Sequence, residues 1–414
     1  MQEGPHVSSP TRKAWLVVAL LWPVALLNYL DRQMLATMHL SMQQDIAELQ
    51  SLEVFGKLMG IFLWVYAIFS PLGGFVADRF NRKWLIVGSL GVWSGVTLLM
   101  GHAHDLSTLM WLRGAMGVSE AFYIPAGLSL IADYHRGSTR SLAVGIHMSG
   151  IYMGQALGGI GGWIAQSVSW RAAFGSCGWV GVVYGLVLAL FLQEKEDRGT
   201  VTASPEPRAE HGGARVVWLG FAMLVICFAL PSFPGWAVKN WLPSLLQERF
   251  LLDQKSSGLW ATVTNASAGF CGVLIGGRLS DFLFARNVFG RTWVSALGLF
   301  LTAVAIAGIG LAPGFAVVIV CTALYGLGFG MFDANNMPIL CQVAPTRFRA
   351  TGYGLMNFCG TAAGALVTPF LGRLKDSGTP LALGFAYCAA PALLAAIVMI
   401  LMRPRDRDRG AAIV

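Results

Sequence analysis

The chain has 414 residues, 55% of them hydrophobic and only 12% charged, and a net charge of +8. A water-soluble domain carries about 25% charged residues, so this composition excludes one; most of the surface must face lipid. The basic residues are scattered among short loops, which excludes a nucleic-acid-binding face. No G-x-x-x-x-G-K-[ST] loop is present to run an ATP-driven pump.

A helix that crosses a bilayer needs about 20 mostly apolar residues. Runs of that kind predict helices over 14–37, 54–77, 84–103, 108–133, 140–164 and 171–193, then over 216–240, 257–280, 292–312, 315–343, 350–372 and 380–402. The stretch 194–215 between the two sets is polar, holds Pro205, Pro207, Gly212 and Gly213, and reads as a linker. The expected fold is therefore an all-α membrane protein of twelve transmembrane helices. Residues 1–193 form one six-helix bundle, 194–215 a cytoplasmic linker and 216–414 a second, pseudo-symmetric bundle. The first apolar run has no A-x-A-like cleavage site behind it, so it reads as a retained helix. With a cytoplasmic N-terminus the inner loops and tails collect 20 Lys and Arg against 7 outside, with Arg32 and Arg113 left inside the membrane. That bias, with an even number of spans, places both termini in the cytoplasm of a multi-pass protein of the inner membrane.

The two halves repeat each other. Gly73-Gly74 with Asp78 follows the second run, and Gly276-Gly277 with Asp281 follows the eighth. Arg140 with Gly145 opens the fifth, and Arg349 with Gly354 opens the eleventh. A parallel repeat of six helices places a central cavity between halves that rock around it. Gly150, Gly154, Gly158 and Gly162, four residues apart, suit close packing against a partner helix. All seven cysteines fall in apolar runs with no C-x-x-C pair, and read as small buried residues rather than disulfides or zinc ligands. Trp15, Trp22, Trp163, Trp170 and Trp179 read as interfacial anchors.

The charges inside the apolar runs carry the chemistry, because an ionised side chain in the bilayer core costs several kcal/mol and defaults to function. Asp31 and Arg32 are adjacent, about 100° apart on the first helix. Asp31 is therefore expected to meet Arg113 of the fourth helix, leaving Arg32 for a ligand. Arg113 and Glu120 are seven residues apart and share a face. Phe332-Asp333-Ala334-Asn335-Asn336-Met337-Pro338 puts an acid, two amides and a kinking proline into the tenth helix. Asn335 and Asn336 suit a polyol's hydroxyls, since an amide both donates and accepts. Asp333 repels an anion unless protonated or paired; it couples a proton or sodium, binds an amino group of the substrate, or joins the cytoplasmic loop charges. Lys239, at the outer end of the seventh helix, either closes over the cavity with Asn240 and Trp241 or anchors at the interface. His147 reads as a packing residue.

Gly74-Phe-Val-Ala-Asp78-Arg79-Phe-Asn81-Arg82-Lys83 resembles the loop signature G-x-x-x-D-R-x-G-R-[RK] of the major facilitator superfamily, with Asn81, which tolerates a left-handed conformation, in place of glycine. Arg113-x-x-x-Gly117 is similar to a second motif of that superfamily, and Asp281 marks a weaker copy of the loop. Gly74, Asp78, Arg79, Arg82 and Asp281 are accordingly expected to form a cytoplasmic gate. Asn28-Tyr29-x-Asp31-Arg32 looks like the first helix of the anion:cation symporters, which take up hexuronates, galactonate and related sugar acids; spinster-like lipid transporters share a similar string. That resemblance implies Asp31 and Glu120 as protonation sites, Arg32 as the carboxylate anchor, Arg113 as the ion-pair partner, and Tyr29, Tyr66, Gln155, Asn335, Asn336 and Asp333 as substrate-binding residues. The fifth helix lacks the G-P-x-x-G-G string usual in proton antiporters, which favours symport.

The expected function is proton-coupled symport of an organic anion, most consistent with a hexuronate, aldonate or sialic-acid-like sugar acid. The alternative is a lysolipid, amphiphile or drug exporter of the same fold. No H-E-x-x-H, C-x-x-C or G-x-S-x-G string supports an enzyme. No metal and no cofactor are expected. Protons are the expected coupling ion, with sodium the alternative, and the partners are the small anion and the lipid bilayer around a monomer.

Overall fold

The computed structural model describes residues 12–135, 139–194, 214–343 and 349–402, with backbone only at 78, 140, 141, 214–220 and 349–351. Nearly all of the expected linker, and the inner-loop basic residues Arg136, Lys195, Arg198, Arg208, Arg347, Arg403, Arg405, Arg407 and Arg409, lie outside the described residues. The first half runs through α1 (Arg12–Ala36), α2 (His39–Asp45), α3 (Leu52–Arg79), α4 (Arg82–Met100), α5 (Leu106–Glu120), α6 (Tyr123–Tyr134), α7 (Arg140–Leu157), α8 (Gly159–Ser167) and α9 (Trp170–Phe191). The second runs through α10 (Ala214–Phe250), α11 (Gln254–Phe284), α12 (Gly290–Leu311), α13 (Phe315–Asp333), α14 (Asn336–Val343), α15 (Arg349–Asp376), α16 (Leu381–Tyr387) and α17 (Ala389–Leu401). Among the described residues there are no strands, and eleven helical segments are long and apolar enough to cross a membrane. The expected span 140–164 is built from α7 and α8, which meet at Gly158, and is not one of those eleven.

Polar side chains start several of these helices. Ser51, Asn81, Asp105, Ser169 and Asp253 each accept a hydrogen bond from the backbone N–H three residues on, satisfying donors that the first turn leaves orphaned. Asn81 does this at φ −65°, so it serves as a helix cap rather than in the left-handed conformation its place in the loop motif suggests. α10 runs ten residues past its expected end at 240, because Trp241, Leu242, Leu245 and Leu246 give its last turns a buried face. Pro231, Pro234 and Pro243 lie inside it without ending it, as neighbouring helices allow in membranes.

Outward-facing side chains such as Trp111, Leu186, Leu190 and Val320 are exposed, whereas the polar ones are gathered inside, the arrangement lipid demands. Of the expected anchors, Trp163 and Trp179 are exposed, but Trp170 is buried and donates to Asp45, and Trp22 donates to Ser149. Their indole N–H groups found partners inside the bundle, which periodicity could not reveal.

The halves meet at one end of the molecule. α3 crosses α15 where glycine lets the backbones touch: a Cβ on Gly56 would lie 2.7 Å from Pro369 Cα and Thr368 O. The Asp376 carboxylate, ending α15, caps α3 through Ser51 Oγ (2.6 Å), Leu52 N (3.0 Å) and Glu53 N (2.9 Å). Gln254 of α11 donates to Ser41 Oγ, and Thr262 of α11 donates to Ala156 O. Towards the other end, the described residues join the halves through one long hydrogen bond, from Tyr152 OH of α7 to the Asp333 carboxylate at 3.5 Å. A cavity of about 220 Å³ lies between them.

Candidate functional site

α1 is pressed into the bundle by the glycine stripe of α7 and α8. A Cβ at Gly150 would stand 2.7 Å from Trp22 O, one at Gly154 3.1 Å from Leu30 N, and one at Gly162 2.8 Å from Thr37 O. Any larger residue would push away the helix that carries Tyr29, Asp31 and Arg32. Past Arg32, Gln33 donates to Lys239 O of α10 at 2.5 Å, so α1 and α10 meet just beyond the cavity, at the closed end.

Two prolines break the helices that supply acids. Pro125 cannot donate to the carbonyl of Ala121, and the helix stops at Glu120 and restarts at Tyr123. Glu120 therefore ends α5, fully buried, where a carboxylate faces the unfavourable end of the helix dipole. Arg32 answers it: its Nε donates to Glu120 Oε2 at 2.5 Å. The guanidinium lies 4.8, 4.9 and 4.4 Å from the rings of Tyr29, Phe62 and Tyr66, a cage that suits a delocalised cation. Arg32 Nη2 and Glu120 Oε1 carry no protein hydrogen bond.

The expected meeting of Asp31 with Arg113 does not occur. Asp31 turns to the far side of α1, where Cys177 Sγ donates to Oδ1 at 2.7 Å and Thr97 Oγ1 approaches Oδ2 at 3.3 Å. Arg113 donates to Met116 Sδ at 3.3 Å and lies 4.8 Å from the Phe62 ring, so one ring touches both guanidiniums. The pairing is thus Arg32 with Glu120, because only Arg32 faces the break after α5. Cys177, read from sequence as an apolar filler, is instead a neighbour of the first-helix acid.

Tyr29, Arg32, Tyr66 and Gln155 line the cavity from the first half, and Lys239 and Asp333 from the second. Asp333 is exposed to it, away from the Asp281–Arg291 loop pair. Its carboxylate accepts from Asn336 Nδ2 at 2.9 Å and from Tyr152 OH at 3.5 Å. Asn335 and Asn336 are buried and do not line the cavity; Asn335 donates back to Met331 O. Pro338 leaves Ala334 without its helical donor, so the helix breaks at 334–335 and turns both amides inward. Lys239 is neither an anchor nor an outer-loop charge: its ammonium lies over the Trp236 ring at 5.1 Å inside the cavity wall. Asn240 and Trp241 bond Thr368 rather than covering the cavity. His147 is buried against Tyr123, away from the cavity.

Of the loop residues, the side chain of Asp78 is outside the described set. Arg82 pairs with Asp133 of α6 and donates to Ala77 O at 3.3 Å, while Arg79 stacks on Phe75. Lys83 N donates to Glu194, beyond α9. Gly74 has open space around it, and Asp281 lies 3.6 Å from Arg291. These contacts knit each half within itself at the open end.

The two halves also share a pattern that links the buried charges. Glu120 stands five residues before Pro125 and ends α5; Asp333 stands five before Pro338 and ends α13. Tyr29 and Arg32, three apart on α1, correspond to Trp236 and Lys239, three apart on α10, each cation over its own aromatic ring. The spacings were present in the sequence, but only the helix breaks show which acid answers which.

Comparison with known proteins agrees with this architecture. A D-galactonate transporter of Escherichia coli O6:H1 is 25% identical over 96% of this chain and 97% of its own. A hexuronate transporter of Bacillus subtilis is 25% identical over 93% of each. A sphingosine-1-phosphate transporter of Xenopus tropicalis is also 25% identical, over 84% of this chain and 71% of its own. In fold, the chain is similar to a bacterial homologue of the human lysosomal transporter Spinster in an inward-facing, occupied conformation. The TM-score is 0.73, with 20% identity over 95% and 96% of the two chains. The pattern of the Major Facilitator Superfamily matches residues 21–367, and again 241–413, so the chain belongs to that superfamily and resembles its sugar-acid transporters.

Proposed function

We propose that this protein is a secondary active transporter that carries a sugar acid together with protons by alternating access. In this reading α7 and α8 complete a set of twelve spans, the termini and the open end face the cytoplasm, and the two six-helix halves rock about the cavity. The observation that carries it is Arg32, whose guanidinium sits at the cavity wall while sharing the carboxylate of a fully buried Glu120. The sugar-acid relatives support the substrate class.

The charges at and behind the cavity balance: Asp31, Glu120 and Asp333 against Arg32, Arg113 and Lys239. With Glu120 ionised, its oxygen occupies Arg32 and the cavity has no excess charge to attract an anion. A proton on Glu120 cancels that negative charge and frees the guanidinium for a substrate carboxylate, which it binds as a two-pronged donor. Each ligand then strengthens the other's binding to the same extent, as linkage requires. Asp31, held by Cys177 and Thr97 behind Arg32, is the second proton site.

A second reading, export of an amphiphile, is favoured by the aromatic lining contributed by Phe228, Trp236, Tyr325 and Phe329 and by the Xenopus relative. Thermal stabilisation by hexuronates and aldonates against lysolipids separates the two. Sugar acids are expected to raise the melting temperature of the native protein and not of Arg32→Ala; stabilisation by lysolipids alone would reject the sugar-acid reading.

A further inference from the structure

The second half of the molecule repeats the cation and the acid of the first but leaves them apart. In the first half, Arg32 and Glu120 are joined at 2.5 Å. In the second, Lys239 and Asp333 occupy the corresponding places and both line the cavity, yet no ion pair joins them. Lys239 has no hydrogen-bond acceptor on its ammonium among the described residues, whereas the Asp333 carboxylate already takes bonds from Asn336 and Tyr152.

Their places along the cavity differ. On α10 the cavity residues begin at Phe228 and end at Lys239, beside the closed end where Gln33 holds the Lys239 carbonyl. On α13, which runs the opposite way, they begin at Tyr325 and end at Asp333, towards the open end. Arg32 precedes Gln33 on α1 and lies at the Lys239 level. The two cations thus stand on the closed-end side of the cavity and the carboxylate on its open-end side.

We infer that Lys239 and Asp333 are an opened charge pair that selects a bipolar substrate, an inference that rests on the sugar-acid reading above. A single carboxylate is clamped between Arg32 of one half and Lys239 of the other. The far end of the substrate presents hydrogen-bond donors, hydroxyl or amino groups, to Asp333. An ionised carboxylate accepts bonds and has no proton to donate, so a second acid group at that end meets like charge and an unsatisfied acceptor. The preferred substrate is a monoacid with a donor tail, and the matching diacid is excluded. Because the clamp takes one cation from each half, an occupied cavity also ties the halves together.

The test compares an aldonate with the aldarate of the same carbon skeleton, by direct binding to the purified protein and to Asp333→Asn and Lys239→Gln. The native protein is expected to bind the aldonate at least about tenfold more tightly. Asp333→Asn, which keeps a partner for Asn336 and Tyr152, is expected to bring the two within about threefold, mainly by strengthening the aldarate. Lys239→Gln is expected to weaken the aldonate about tenfold or more, with Lys239→Arg restoring most of it. Equal or tighter native binding of the aldarate, an unchanged ratio in Asp333→Asn, or an unchanged aldonate affinity in Lys239→Gln would overturn the inference. If no acid binds even the native protein, the sugar-acid reading itself falls, a result distinct from those three.

Discussion

At the scale of the residue, the proposed role of Arg32 as carboxylate anchor calls for a guanidinium. Its guanidinium is bonded edgewise to Glu120 and faces three aromatic rings, so it is held flat while further N–H groups stay open to a ligand. A lysine would keep the charge but concentrate it on a strongly hydrated ammonium without the fork. Arg32→Lys is therefore predicted to lose sugar-acid affinity by about tenfold or more, read by titration calorimetry; native-like affinity would mean that charge alone matters there. Arg32, Asp31, Arg113 and Glu120 were conspicuous in the sequence because each interrupts an apolar run. Their pairing was not, since Asp31 and Arg32 leave α1 in different directions and only the packed neighbours decide which meets an acid. Cys177 shows the same limit: nothing in an apolar run marks a thiol that touches a carboxylate.

At the scale of the element, breaks and close approaches decide what the helices can present. Pro125 and Pro338 were visible in the sequence, but their effect falls four residues upstream, at Ala121 and Ala334, where it delivers Glu120 and Asp333 to helix ends. The kink at Pro338 was legible, but not that the break turns Asn335 and Asn336 into the packing instead of the cavity. The α3–α15 crossing depends on Gly56, where no Cβ fits against Pro369. Gly56→Leu is predicted to hold the closed end apart. Transport then falls to background in proteoliposomes, while the purified variant remains monodisperse. Transport near the native rate would show that this crossing need not close. The glycine stripe from 150 to 162 was legible from spacing alone, because a four-residue period on a helix has few other physical uses.

At the scale of the whole molecule, the sequence displayed two related halves, while the conformation they adopt was not legible, because alternating states share one set of spans and differ only in which end packs. The closed end is held by Asp376 on α3, Gln254 on Ser41, Thr262 on Ala156 and glycine contacts, all of which must part if the cavity is to open on that side. Such contacts are individually modest, which fits the proposed equilibrium between states that a bound ligand and a proton would shift. In the proposed cycle, Glu120 is the acid whose protonation releases Arg32. The most direct measurement is sugar-acid uptake into proteoliposomes under an imposed inward proton gradient, run beside counterflow exchange. The native protein is predicted to accumulate the acid above equilibrium, and Glu120→Gln to exchange it without accumulating it. Gradient-driven accumulation by Glu120→Gln equal to that of the native protein would contradict the account.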